Sequence, residues 1–136
     1  MERLVIDTSA LLAVLLNEPA RPALIKATEA CDLVAAPTLP WEVGNALVAG
    51  FGRRRLSGLQ VRRAWASYKA VPIQLAEIDT GRALEIALET GLYAYDAYVL
   101  ETARVEQLPL LTLDRALEQA ARRLGLKIRR VKHENL

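Results

Sequence analysis

Short runs of apolar residues alternate with longer amphipathic segments along the chain, and this pattern predicts a single α/β structure. The first run, residues 3–6, is almost continuously apolar, which is typical of a strand in a parallel sheet covered on both faces. Further extended segments are predicted at residues 33–36, 73–76 and 108–113. A last strand at residues 127–131 alternates in polarity, which favours an edge position.

The segments between these strands predict helices at residues 10–17, 22–30, 41–51, 57–70, 80–90, 93–103 and 115–124. Gly91 and Gly125 stand where two of these helices are expected to end. A length of 136 residues is close to the commonest domain size, and the chain has no repeat or linker. We therefore expect one domain over residues 1–136.

Composition limits the class of protein. The chain is 52% hydrophobic, which is enough for a real core, and its single cysteine, Cys31, excludes an intrachain disulfide and a thiolate metal cluster. Asp7 interrupts the first apolar run, which argues against a signal peptide. No apolar run approaches the roughly 18 residues of a membrane-spanning helix. A cytoplasmic location is the resulting expectation.

The first strand stops at Asp7, which is followed by the hydroxyl residues Thr8 and Ser9. In open α/β sheets the ligand crevice lies beyond the carboxyl ends of the strands, so Asp7 is predicted to face the site. Asp, Thr and Ser are also the commonest residues at helix N-termini. Asp7 as an ordinary helix cap therefore remains an alternative.

A second acid lies in the helix predicted at residues 41–51, where Glu42 and Asn45 are the only polar side chains. Their spacing places them on one face of the helix. A carboxylate on a mostly buried helix must be paired, neutralised or bound to a metal. Asn45 is predicted to orient Glu42, and an ion pair of Glu42 with an arginine is the structural alternative.

Two more acids follow in the second half of the chain. Asp96 lies in or near the first turn of its helix and shares a face with the apolar residues Leu100 and Ala103, so it is predicted to point toward the packed side. Asp114 ends the run that begins at Leu108, where Thr112 supplies a hydroxyl. This run repeats the order of the opening segment, and two strands are therefore predicted to end in an aspartate.

An α/β sheet would bring these four acids together, and such hard oxygen ligands select Mg²⁺ or Mn²⁺. Carboxylates that hold divalent ions are the usual apparatus for phosphodiester hydrolysis by an activated water. No histidine or cysteine is spaced for zinc, since the only histidine, His133, lies near the C-terminus, where a surface position is expected. Glycine-rich phosphate loops and nucleophile elbows are also absent from the sequence.

The charge distribution points to an anionic substrate. The net charge is +2, but if four acids share one pocket the rest of the molecule carries about +6. An acidic pocket on a basic body is the pattern expected of a metal site that handles a polyanion. Five arginines, which we call the basic shoulder, are candidates for RNA contact: Arg53, Arg54, Arg55, Arg62 and Arg63. An ordinary solvated face is the alternative.

Four motifs in this order resemble those of PIN-domain ribonucleases, in particular the VapC toxins of prokaryotic toxin–antitoxin pairs. They are Val-Ile-Asp-Thr-Ser-Ala-Leu at residues 5–11, Glu-Val-Gly-Asn-Ala-Leu at 42–47, Tyr-Asp-Ala-Tyr at 95–98 and Leu-Thr-Leu-Asp at 111–114. The resemblance extends from residue 4 to about 131. One position departs from it, since Leu117 stands where the family often has an aromatic residue.

The resemblance implies a three-layer α/β fold, with a central parallel sheet of four to five short strands flanked by about seven helices. It also implies a Mg²⁺- or Mn²⁺-dependent endoribonuclease that forms a homodimer and is neutralised by a cognate VapB-type antitoxin. The acidic quartet implied is Asp7, Glu42, Asp96 and Asp114. Thr112 and Asn45 are the implied supporting residues, to which the hydroxyls of Thr8 and Ser9 are added.

Two apolar helix stripes are predicted to leave a partly exposed groove for an amphipathic antitoxin helix. They consist of Leu11, Leu12, Leu15 and Leu16 on the first helix and Val61, Trp65 and Tyr68 on the fourth. A core or homodimer position for these residues is the alternative.

Three other functional classes are compatible with parts of this pattern. A receiver domain would need an early acidic pair and a late strand-end lysine, and Lys127 is too far past Asp114 for that role. A haloacid-dehalogenase-type phosphatase would need an aspartate where Ser9 stands. A PIN-like scaffold that binds RNA or protein without cutting it remains the alternative to a nuclease, although four retained acids argue against it.

Overall fold

A computed structural model describes residues 1–131, so His133 lies outside the described residues. Four parallel strands form one sheet in the order β3-β2-β1-β4. The strands are β1 Glu2–Ile6, β2 Cys31–Ala35, β3 Ile73–Leu75 and β4 Leu110–Leu111. The parallel sheet predicted from the apolar runs is thereby confirmed.

Seven helices connect and follow these strands within residues 1–131. They are α1 Thr8–Leu15, α2 Arg21–Thr28, α3 Leu39–Gly52, α4 Gly58–Ala70, α5 Thr80–Thr90, α6 Ala94–Glu106 and α7 Arg115–Arg123. Ser57 and Gln60 form a reciprocal capping box at the start of α4. Gly91 ends α5 in the left-handed conformation, with φ at 75°, which glycine adopts without steric penalty.

The helices cover both faces of the sheet, which gives the three predicted layers. Leu4 and Ile6 point toward a core formed with α1, α2, α3 and α4. Val5 and Val34 point to the opposite face, toward a core formed with α5, α6 and α7. Because consecutive side chains of a strand face opposite ways, a strand with two buried faces must be apolar at every position.

The predicted fifth strand at residues 127–131 is wrong. Only Ile128 pairs with the sheet, through a single parallel bridge to Leu110. The backbone of Leu110 donates to Lys127 and accepts from Arg129, with both N···O distances at 2.9 Å. A partner strand of two residues, Leu110–Leu111, offers too few backbone groups to extend the ladder further.

The helix α3 is less buried than its apolar sequence predicts. Trp41, Val48 and Phe51 are exposed, while Val43 and Leu47 are fully buried against the sheet. The predicted groove between the apolar stripes of α1 and α4 is mostly core instead. Leu11 is buried, and the other stripe residues, apart from the more exposed Trp65, pack partly buried against the core. Exposed apolar side chains therefore occur on α3, and they also occur on α4 and α5, where Leu59, Leu84 and Leu88 are exposed.

In the part of the chain that the structure describes, no helix has the length and hydropathy needed to cross a bilayer.

Candidate active site

Asp7 stands at the carboxyl end of the central strand β1 and is also the N-cap of α1. Its Oδ1 accepts from the backbone N–H of Ala10 at 3.0 Å. The helix-cap alternative is therefore correct for the local structure, and it coexists with a position in the predicted crevice. Asp7 as a whole is only 5% exposed, so the protein around it, more than solvent, determines the chemistry of its carboxyl group.

Two side-chain hydroxyls form hydrogen bonds to the Asp7 carboxylate. The Ser9 hydroxyl lies 2.8 Å from Oδ1 and 2.9 Å from Oδ2, and the Thr112 hydroxyl donates to Oδ2. Backbone N–H groups of Leu113 and Asp114 donate to these same hydroxyl oxygens, at 3.1 Å and 3.0 Å. Because each hydroxyl has a single proton, accepting from the backbone turns that proton toward Asp7.

Burial dominates the electrostatics of Asp7. Loss of solvation raises the pKa of Asp7 from its ordinary value of 3.8 to about 6, although hydrogen bonds from Thr112, Ala10 and Ser9 act in the opposite direction. The neighbouring charge of Asp114 raises the pKa slightly further. An unpaired acid of this kind is held in place by the fold although its charged form is unfavourable.

Glu42 lies in the first turn of α3, near enough to Asp7 and Asp96 for their charges to act on it. Burial raises the pKa of Glu42, and the charges of Asp7 and Asp96 add to this effect. The Thr38 hydroxyl donates to Glu42 Oε2 at 2.7 Å and partly opposes the rise. Within residues 1–131 no Arg, Lys or His side chain pairs with Glu42, so the ion-pair alternative is wrong.

The buried Thr8 hydroxyl lies near Glu42 without forming a well-aligned hydrogen bond. It is the single buried side-chain polar atom without a partner in the described residues. Its proximity still helps to lower the pKa of Glu42. A buried hydroxyl without a well-aligned partner is costly, and a polar occupant of this pocket would supply one.

Asp96 is the third of these acids, and its helix, α6, packs on the face of the sheet opposite α3. It lies in the first turn of α6 and is half-buried, while Leu100 and Ala103 of the same face are fully buried, as predicted. Burial raises the pKa of Asp96, with a further contribution from the charge of Asp114. Asp7, Glu42 and Asp96 thus form one electrostatically coupled cluster at the carboxyl edge of the sheet, which we call the acid cluster.

Asp114 does not end a strand, contrary to the prediction. β4 stops at Leu111, and Asp114 is the exposed N-cap of α7. Its Oδ1 accepts from the backbone N–H groups of Ala116 and Leu117, at 2.9 Å and 3.2 Å. Its charge raises the pKa values of Asp7 and Asp96, so Asp114 lies near the acid cluster. One of its two carboxylate oxygens already accepts the hydrogen bonds that cap α7.

The model of the PIN domain family matches residues 4–123 of this sequence. The chain belongs to the PIN-domain family. No match to the sequence is found among curated proteins.

Solved structures similar to this PIN domain come from archaea and bacteria. PAE2754 from Pyrobaculum aerophilum is 24% identical, with a TM-score of 0.60 over 91% of this chain and 97% of that chain. The structure of VapBC2 from Rickettsia felis, bound to a DNA fragment from its promoter, is 9% identical in sequence. Its TM-score is 0.66 over 96% of this chain and 99% of that chain. A toxin–antitoxin complex from Klebsiella pneumoniae is 19% identical, with a TM-score of 0.51 over 82% and 86%. At these identities the likeness establishes a shared fold.

The donor set of this PIN domain fits a hard divalent cation. Asp7, Glu42 and Asp96 supply carboxylate oxygens, and none of them has a cationic partner within residues 1–131. In the same residues no three acidic, histidine or cysteine side chains converge tightly enough to enclose one ion. The acid cluster is therefore a set of coupled carboxylates whose repulsion a divalent cation would relieve.

Asn45 does not support Glu42 as predicted. Its side chain is exposed and makes no hydrogen bond within the described residues, while Glu42 is held by Thr38. Thr38 precedes α3 and stands four residues before Glu42, so that its hydroxyl reaches the carboxylate across one turn. This spacing, together with the hydroxyl next to Pro37, was the signal in the sequence that could have identified Thr38.

The basic shoulder lies away from the acid cluster. Arg53, Arg54 and Arg55 follow the C-terminal end of α3, whereas Glu42 lies in its first turn. At 1.5 Å per residue, Arg53 is roughly 16 Å from Glu42 along the helix. All five arginines are exposed and none forms an ion pair within residues 1–131. The structure therefore does not place them at the acid cluster.

Proposed function

We propose that this PIN domain is a metal-dependent endoribonuclease and the toxin of a VapC-type toxin–antitoxin pair, acting as a single domain over residues 1–136. The observation that supports the proposal is the acid cluster. Three carboxylates, at the end of β1, on α3 and on α6, lie at the carboxyl edge of a parallel sheet, where α/β proteins bind ligands, and the charges of Asp7 and Asp96 act on Glu42. Their pKa values are all raised, a property concentrated at functional sites.

Asp7, Glu42 and Asp96 would hold Mg²⁺ or Mn²⁺, and Asp114 would contribute through its free oxygen. When bound, a divalent ion lowers the pKa of a water molecule and neutralises charge on the phosphate. Ser9 and Thr112 keep the Asp7 carboxylate in one orientation through their directed protons. Thr38 does the same for Glu42. Such fixed orientation is what a metal ligand requires, since outer hydrogen bonds hold ligating carboxylates in place.

The proposed partners are an RNA substrate, a VapB-type antitoxin and a second copy of the chain. The antitoxin is supported by the structures of similar fold, one of which is described as a toxin–antitoxin complex and another as VapBC2. The exposed apolar side chains of α3, Trp41, Val48 and Phe51, supply surface that a protein partner could cover.

Metal-dependent cleavage of RNA tests the proposal against the non-cutting scaffold. We expect the purified protein to cleave a single-stranded RNA in the presence of Mn²⁺ or Mg²⁺. Chelation with EDTA should abolish cleavage, and added metal should restore it, because nothing else in the described residues activates a water. Products are resolved on a denaturing gel, with an equal amount of protein in Ca²⁺ as a control. RNA that is bound but never cut under any of these conditions would favour the scaffold.

The basic shoulder is proposed to contact RNA phosphates at a distance from the acid cluster. Replacing Arg53, Arg55 and Arg62 with serine should weaken binding of all single-stranded RNA sequences and lower the salt dependence of binding. Each lost phosphate contact should reduce the slope of log K against log salt by about 0.7. Fluorescence anisotropy of a labelled RNA at several salt concentrations measures this slope.

A matched control removes the same charge elsewhere on the surface. Arg82, Arg123 and Arg130 are exposed and form no ion pair within the described residues. Their triple replacement with serine should change the slope by much less. Equal slopes for the two triple variants would show that the basic shoulder is an ordinary solvated face.

A further inference from the structure

An open groove adjoins the acid cluster along the same edge of the sheet. Its volume is about 530 Å³, and its lining includes Thr38, Trp41, Glu77, Thr80 and Tyr98. Its floor is formed where β2 and β3 end, at Pro37 and at Ala76, whose backbone N–H donates to Ala35 at 2.9 Å. The groove therefore lies at the carboxyl ends of β2 and β3, as Asp7 lies at the end of β1.

The groove meets the acid cluster at one side chain, Thr38. Thr38 lines the groove and donates to the Glu42 carboxylate at 2.7 Å. Tyr98 also lines the groove from α6, but it stands two residues after Asp96 and therefore on another face of that helix. Neighbouring strands are about 4.8 Å apart, so β1 and β3 end on the order of 10 Å from each other. An extended molecule bound at the acid cluster would therefore continue into the groove.

The lining has the chemistry of a site for a planar base. Trp41 is 66% exposed, which leaves its indole ring accessible to a ligand in the groove. Tyr98 is partly buried, and an edge-to-face contact with Tyr95, with ring centroids 5.9 Å apart, fixes its orientation. Unpaired RNA bases stack on such aromatic rings and form hydrogen bonds through their Watson–Crick edges.

We propose that this groove binds a guanine base of the RNA, next to the phosphate at the acid cluster, and thereby selects the site of cleavage. The proposal rests on the nuclease function proposed above. Trp41 and Tyr98 supply stacking surface, and the Glu77 carboxylate at the rim of the groove selects the base. Guanine presents an imino and an amino N–H side by side, which one carboxylate accepts together. Uracil has no amino group, and adenine and cytosine present one amino group beside an acceptor nitrogen that would face the carboxylate.

Tryptophan fluorescence tests base binding without any cleavage. The chain has two tryptophans, so Trp65→Phe leaves Trp41 as the single reporter. We expect GMP to quench this fluorescence with an affinity at least tenfold higher than UMP or CMP. Glu77→Gln should remove most of that preference, since a good pair of hydrogen bonds to one base contributes roughly tenfold or more. Glu85→Gln, an exposed acid on α5, is the matched control and should behave as the parent protein.

Cleavage mapping supplies the second measurement. Oligoribonucleotides of uridine with one guanosine should be cut at one position relative to the guanosine. Trp41→Ala should lower kcat/KM on this substrate by about tenfold or more, the typical loss on removing a stacked aromatic ring. Trp65→Ala, a tryptophan replaced on α4, is the control. Circular dichroism should show an unchanged fold for the Trp41 variant, because that side chain is exposed.

The two proposals fail in different ways. Equal quenching by GMP and UMP, unaffected by Glu77→Gln, would overturn the guanine site even if the protein cuts RNA. Tighter binding of free arginine than of GMP would also overturn it, since the groove would then suit a guanidinium of a protein partner. A protein that binds GMP selectively but cuts no RNA in Mn²⁺ would retain the base site and contradict the nuclease.

Discussion

Replacing Asp7 or Asp96 with asparagine is expected to reduce metal-dependent RNA cleavage by on the order of a thousandfold. A bound metal ion contributes several kcal/mol of charge stabilisation to the transition state, and a neutral amide would not hold that ion. Asp7 follows β1 and Asp96 lies on α6, and the charges of both act on Glu42. Both single variants should therefore lose activity. Initial rates on a labelled RNA in Mg²⁺ measure the effect.

Asp32→Asn is the matched control for these variants. Asp32 lies on β2, but it is exposed and forms no hydrogen bond or ion pair through its side chain in the described residues. It should retain the activity of the parent protein. Expression of the parent chain should arrest growth, and the Asp7 and Asp96 variants should relieve the arrest. Full cleavage by both variants in Mg²⁺ would remove the acid cluster from the mechanism.

A second large effect is expected in the stability of the metal-free protein. The pKa of Asp7 is about 6 in the folded state and 3.8 when the carboxyl is exposed, as in the unfolded chain. The folded state therefore holds a proton that the unfolded state has released between these pH values. Its stability must fall as the pH rises through this window. The full difference corresponds to roughly 3 kcal/mol at pH 7.

Asp7→Asn should remove this loss, since the amide carries no charge at any pH. The free energy of unfolding of the variant minus that of the parent should be small near pH 4 and grow to as much as about 3 kcal/mol at pH 7. Lost hydrogen bonds from Ser9 or Thr112 would reduce the gain. Urea unfolding in EDTA at several pH values measures it, and Asp32→Asn, which keeps Asp7, should lose stability with rising pH as the parent does. A variant less stable than the parent at pH 7 would contradict the burial of an unpaired charge.

The four acids show which structural positions a local sequence pattern can predict and which it cannot. Asp7 could be located because an apolar strand that ends in an acid is visible in the sequence, and the structure places it at the end of β1. Asp114 follows a similar run, but β4 ends at Leu111 and the acid caps α7. Hydropathy could not show that β4 ends at Leu111, because Thr112 and Leu113 continue the same kind of sequence up to Asp114. Strand length depends on which neighbour is available for pairing.

The supporting residues show the same limit. Ser9 donates to Asp7 from two residues away in the chain, whereas Thr112 reaches Asp7 only because β1 and β4 are neighbours in the sheet. Asn45 shares a helical face with Glu42 by spacing, yet it is exposed and the contact is made by Thr38. Spacing along a helix identifies residues on one side of it. It does not show which of them the rest of the molecule covers.

The sequence by itself determined the layered α/β class, the order of the elements, most helix bounds and the identity of the acids, because hydrophobic periodicity and capping act between residues close in the chain. Only the tertiary structure decided the strand order β3-β2-β1-β4, the exposed face of α3, the distance of the basic shoulder from the acid cluster and the groove beside it. These features depend on contacts between segments distant in sequence. Burial and the coupling of charges exist only once those segments have packed together.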